Sequence, residues 1–214
     1  MSANIDNGRD TSVYINCPFD AEYKPIFDAV VFAIVCCGFT PRSALETGTV
    51  SMPRMRRIAD AMQSSKYSIH DLSRCKGEGD ENLARFNMPL ELGISLAMKF
   101  SGVRDDAPHD WLMLVPKGNA YKKFVSDLSG YDPEEYISSG PDVRQDVVAA
   151  VMSWLTTRPD AVEAEVSPPD VLGALPAFDE KRRILDLSWH NRTPWPRLVR
   201  AALEVAQAQL GGDR

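Results

Sequence analysis

No stretch of this 214-residue chain is apolar for long enough to span a bilayer. The most apolar run, Ile26 to Cys37, is about half of the ~20 residues required and carries Asp28. It is expected to be a core helix, with no membrane partner. Neither a Gly-x-Gly-x-x-Gly fingerprint nor a Walker-type phosphate loop occurs, which removes the usual dinucleotide and P-loop signatures. The four cysteines, at 17, 36, 37 and 75, form no Cys-x-x-Cys pair and no paired ligand spacing, so neither a structural metal site nor a disulfide framework is expected. Positive charge is in deficit, with 24 Lys and Arg against 30 Asp and Glu for a net charge of −6. That balance excludes a broad nucleic-acid-binding face, which needs clustered excess cations, but leaves room for a local Arg cluster around one small anion. Residues 1–9 are polar and lack an apolar signal core, which makes a reducing cytoplasmic setting the expectation. No internal repeat or low-complexity tract is present.

What is present is the composition of an ordinary globular domain, 44% hydrophobic and 25% charged, enough for one buried core plus an appendage. Ser12 to Asn16 reads as a short strand that Cys17-Pro18 stops. Ile26, Val30, Ala33, Ile34 and Cys37 form a helical stripe over about 22–37, ended by Gly38. A second strand over Phe39 to Leu45 opens into a small-residue loop over 46–53, followed by a helix from Arg54 to Gln63. The Tyr-Ser-Ile-His alternation within Lys66 to Leu72 predicts a third strand. The continuous apolar run Trp111 to Val115 predicts a fourth, buried on both faces. Helices are expected over Tyr121 to Leu128 and Val143 to Leu155, with a short edge strand near Glu135 to Ser138. Alternating strands and helices over 1–157 imply an α/β fold, a doubly wound parallel sheet of flavodoxin-like order 2-1-3-4-5, with ligands at the carboxyl ends of strands one and three. Residues 158–169 read as a linker and 170–214 as a helical appendage, with helices over Val171 to Leu187 and Arg197 to Leu210.

The stretch Asn87-Met88-Pro89-Leu90-Glu91-Leu92-Gly93 places a carboxylate in the first turn of a helix. Pro89 presets the backbone for a helix start, with Asn87 or Met88 as the cap. Unpaired amides there favour the ionised form of Glu91. Leu90, Ile94, Ala97 and Met98 recur at helical spacing, and Gly93 and Ala97 are small enough for close packing. The strand ends converge on Asn16, Cys17 and Phe19 after strand one, Asp71 and Ser73 after strand three, and Glu91. Arg54 and Arg57 stand near a helix start, where a pyrophosphate would meet backbone amides as well as guanidinium groups.

The Pro18-Phe19 pair, Asp71, and Glu91-Leu-Gly-Ile-Ser-Leu-Ala-Met98 together resemble the nucleoside 2-deoxyribosyltransferases, whose nucleophilic Glu opens a Glu-Leu-Gly helix. Ile58, Ser64 or Ser65, Ile69, Leu72, Ser73 and Glu91-Leu92 are also similar to TIR (Toll/interleukin receptor) domains, in the stretch that supplies the catalytic Glu of NAD-cleaving members. The resemblance covers about residues 12–128. Cys17 stands where the transferases usually have Gly, Ser73 where they have a second acid, and Asn87-Met88-Pro89 where TIR domains have Trp-Cys.

The resemblance implies an N-glycosidic hydrolase that takes NAD or a related nucleotide as substrate and needs no cofactor or metal. Glu91 would stabilise or attack the anomeric centre, and Asp71 would bind ribose hydroxyls or protonate a leaving base. Asn16, Cys17, Phe19, Ser73, Arg54, Arg57 and Asn87 would line the site. Each residue has a plainer reading: Asp71 as a turn closer, Cys17 as a buried small hydrophobe, Glu91 as a dipole partner in solvent. His70 reads as packed or surface, and His109 and His190 suggest nothing specific. The alternative is a catalytically silent TIR-like interaction or signalling module, including a homo-oligomer. Trp189 and Trp195 favour that alternative only if exposed together.

Overall fold

The computed structural model describes residues 8–46, 51–77, 83–101, 108–140, 143–161 and 166–211. Five parallel strands form one sheet of order β2-β1-β3-β4-β5: β1 Ser12–Asn16, β2 Thr40–Ser43, β3 Tyr67–Asp71, β4 Asp110–Pro116 and β5 Glu134–Tyr136. Helices α1 Lys24–Cys36, α2 Arg54–Gln63, α3 Asn87–Phe100 and α4 Val143–Thr156 cover both faces, and α5 Pro168–Ser188 with α6 Trp195–Leu210 add an outer layer. This is the flavodoxin-like order expected from the alternation of elements. Pro41 is tolerated in β2 because β2 is an edge strand.

The period-2 geometry of the strands sorts the core. Val13, Ile15, Tyr67, Ile69, Leu112 and Leu114 face α1 and α4, while Tyr14, Ser68 and His70 face α2 and α3. α1 is buried all round, from Ile26 to Val35, because the sheet lies on one side and α5 and α6 on the other. Phe32 of α1 stacks on Phe178 of α5 with ring centroids 5.1 Å apart. Asp28, also on α1, is compensated by Lys24 at 2.9 Å and by Arg182 of α5 at 3.6 Å. Among the described residues, no helix is long and apolar enough to cross a membrane.

Three expectations change. Tyr121 to Leu128 is two 3-10 turns, Tyr121–Lys123 and Ser126–Gly130, rather than one helix. Its spaced apolar residues are real and pack on Leu72, Met113 and Val115, but Val125 leaves the helical region at ψ 69°. α5 begins at Pro168, inside the expected linker, because the Asp170 carboxylate accepts hydrogen bonds from both the Ser167 amide and its hydroxyl. The start of that expected linker is itself tied to the sheet: Arg158 pairs with Asp110, and Asp160 with Lys66 and the Tyr67 hydroxyl.

Candidate functional site at the carboxyl end of the sheet

In a sheet of this order the connections leave β1 and β3 toward opposite faces, opening a crevice at their carboxyl ends. The first turn of α3 meets the carboxyl end of β1, where the Asn16 amide reaches the Met88 carbonyl. The inward positions of α3 are Met88, Glu91, Leu92 and Ser95, which recur at helical spacing. Glu91 is only 6% exposed, and the Tyr14 hydroxyl of β1 donates to its Oε2 at 3.2 Å. Burial pushes the Glu91 carboxyl above the ordinary glutamate range, while the Tyr14 hydrogen bond and the charge of Arg54 act in the opposite direction. Glu91 is therefore not a dipole partner in open solvent but a desolvated carboxyl held by a phenol.

Behind it runs a buried polar chain. The Asn16 side-chain amide donates to the Met88 carbonyl at 2.9 Å and lies 2.8 Å from His70 Nδ1. With the amide as donor, Nδ1 of His70 is the acceptor and Nε2 carries the proton toward the hydroxyls of Ser68 and Ser95, at 2.8 and 2.9 Å. Ser68 in turn meets His109 Nε2 at 2.9 Å, and His109 Nδ1 donates to the Ser65 carbonyl at 3.1 Å. Burial pushes His70 down to about 3, with His109 adding to the effect. Burial likewise pushes His109 down to about 4. Both rings are neutral linkers near pH 7. Every member being paired, the chain joins β1, β3 and α3 in one register and fixes where the first turn of α3 lies.

The sequence-selected residues divide between the two faces. Asn16 stands beside the α3 turn, but its amide is committed to Met88 and His70, so it positions the helix that carries Glu91. Asn87 is exposed at the start of α3. Arg54 and Arg57 lie at the start of α2, whose N-cap Pro53 makes no side-chain capping bond. Both line a cavity of about 290 Å³ with Arg42, Ser43, Glu46 and Ser64, and Arg57 Nε is buried without a hydrogen-bond partner among the described residues. Arg54 is shared, lining this cavity and acting electrostatically on Glu91.

Asp71 turns the other way. It is 1% exposed, accepts the Tyr136 hydroxyl at 2.7 Å and the Ser73 amide at 2.8 Å, and so closes the turn after β3 on the α1 face. Its carboxyl is raised by burial, against the hydrogen bonds from Ser73, Tyr136 and Tyr23. Cys17 is buried on that same face and its thiol is raised far above the ordinary value by burial, which is the behaviour of a packed hydrophobe. Phe19 is 42% exposed with its ring edge-on to Phe27 at 5.7 Å. The structure thus brings Asn16, Asn87 and Arg54 to the neighbourhood of Glu91, and places Asp71, Ser73 and Cys17 on the opposite side of the sheet. Tyr14, Ser68, Ser95 and His109 escaped the sequence reading. Strand alternation put Ser68 with His70, and Ser95 lies one turn beyond Glu91, so their signal was periodicity rather than motif.

Among the described residues no group of three or more His, Cys, Asp or Glu side chains could hold a metal ion. The chain matches no protein-family model, no curated protein and no solved structure.

Proposed function

We propose that the chain hydrolyses the N-glycosidic bond of a nucleotide, with NAD or a close relative as substrate and Glu91 as the anionic group at the anomeric carbon. The observation that carries this reading is the desolvated Glu91 carboxyl, bonded to Tyr14 where the first turn of α3 meets β1. Breaking the bond builds positive charge on the anomeric carbon and the ring oxygen, and a carboxylate at about 3 Å stabilises or attacks that centre. Water then supplies the hydroxyl that replaces the base. Nicotinamide leaves NAD as a neutral molecule and requires no general acid. That suits a site in which the second carboxyl, Asp71, faces the other side of the sheet. The phosphates would be met by Arg54, Arg57 and the uncapped amides that open α2.

The condition that would favour a silent interaction module through the C-terminal helices is not met. Trp189 is 41% exposed, but Trp195 is buried against Phe27, so the pair forms no joint aromatic anchor. The test is release of free base from NAD and from a panel of nucleosides and nucleotides by the purified chain. Base release from NAD is the expected result, and no release from any of them would return the interaction-module reading.

A further inference from the structure

The outer side of α3 is unusual for a surface helix. Between Asn87 and Phe100 its only exposed charge is Lys99, and that amine is held by Asp110 at 2.5 Å. Phe86, Leu90, Gly93, Ala97 and Phe100 are all exposed and follow one another at spacings of four and three, so they form a single stripe along the helix. Phe86, Leu90 and Phe100 are 55%, 58% and 67% exposed, so each offers on the order of 100 Å² of apolar surface. Gly93 sits mid-stripe, where a Cβ would meet nothing within 4 Å. The fold of one chain therefore gains nothing from glycine here, although glycine weakens a helix interior relative to alanine.

We infer that this stripe is the contact face of a symmetric dimer in which α3 packs antiparallel on α3 of a second copy. The sequence is self-complementary about Ser95. A two-fold axis there sets Leu90 against Phe100 of the other copy, and Gly93 against Ala97, so large meets large at the ends and small meets small where the helices cross. Antiparallel helix dipoles also favour this direction. A chain of net charge −6 repels its copy generally, so an uncharged stripe is where two copies approach at least cost. At about 100 Å² each, the three large side chains supply roughly 600 Å² over both copies, to which the backbone exposed at Gly93 and Ala97 adds, the size of a weak, concentration-dependent association. This inference is independent of Glu91 chemistry, because Glu91 lies on the inner side of the same helix.

Sedimentation equilibrium of the full chain is expected to show twice the 23.7 kDa chain mass at about 100 µM. Ala97→Lys changes an exposed position and should leave the circular dichroism intact while weakening association at least tenfold. Register is tested by mixing Leu90→Cys protein with Phe100→Cys protein under mild oxidation. The mixture should form the mixed disulfide, and neither variant alone should cross-link, since ten residues of helix separate like positions by about 15 Å. A monomer at all concentrations, association unaffected by Ala97→Lys, or self-cross-linking of Leu90→Cys would each overturn the proposal.

Discussion

Tyr14→Phe isolates the one described side-chain hydrogen bond to Glu91. The ring is fully buried and the substitution keeps its volume, so packing is preserved and only the hydroxyl at 3.2 Å is lost. A hydrogen bond to a charged group is worth about 1.5–3 kcal/mol, and the long contact argues for the lower end. The loss falls on the ionised form of Glu91. The sign follows from the direction of the Glu91 shift: its carboxyl is raised in the folded state, so ionisation costs stability as pH rises through its folded value. Without Tyr14 the carboxyl is raised further. The stability difference between wild type and variant should therefore be small below the ordinary glutamate range, where Glu91 is neutral in both, and grow to about 1.5 kcal/mol at a pH above its raised value, where it is ionised. Urea unfolding at the two pH values measures it. The acidic limb of base release should also move toward neutral pH, with about tenfold less activity on that limb for each 1.4 kcal/mol lost. Equal destabilisation at both pH values together with superimposable pH profiles would refute the reasoning.

Two further substitutions test the division of roles. Asp71→Asn keeps an acceptor for the Ser73 amide but loses the charged partner of Tyr136, so it should cost about 1–3 kcal/mol in unfolding free energy while base release per folded molecule stays within about twofold. A collapse of turnover in folded protein would place Asp71 in the reaction. Phe178→Ala removes the ring that stacks on Phe32 and should lower stability by about 3–5 kcal/mol in one cooperative transition, because α5 shares the core of the sheet domain. A separate early transition for the C-terminal helices would show that they are an appendage.

The fold was legible because its signals are local and repeated. Short strands alternate with helical stripes, Pro18 and Gly38 punctuate them, and the apolar β4 requires cover on both faces. The C-terminal helices were placed closely, but their union with the core was not legible. An apolar α1 says that something covers its outer side without naming Phe178 or Trp195 as the cover. The site was half legible. A Glu in a helix's first turn is visible as a pattern, whereas its desolvation depends on Tyr14, remote in sequence and brought beside it only by the strand order. Asp71 was legible as an acid at a strand end, but that pattern reads alike whether the side chain faces the crevice or closes a turn, as its bonds to Ser73 and Tyr136 do. Which face it takes follows from strand parity: Tyr67, Ile69 and Asp71 turn together toward α1.

The central claim is that the Glu91 charge does chemistry rather than holding the fold, and Glu91→Gln separates the two. The substitution keeps the shape and an acceptor for Tyr14 but removes a charge that burial disfavours. Measured together on wild type and variant, base release from NAD should fall by on the order of 10²-fold or more, the ~3 kcal/mol scale of one preorganised electrostatic group. Stability at neutral pH should be no lower than that of wild type. Base release at the wild-type rate by the folded Glu91→Gln protein would contradict the account.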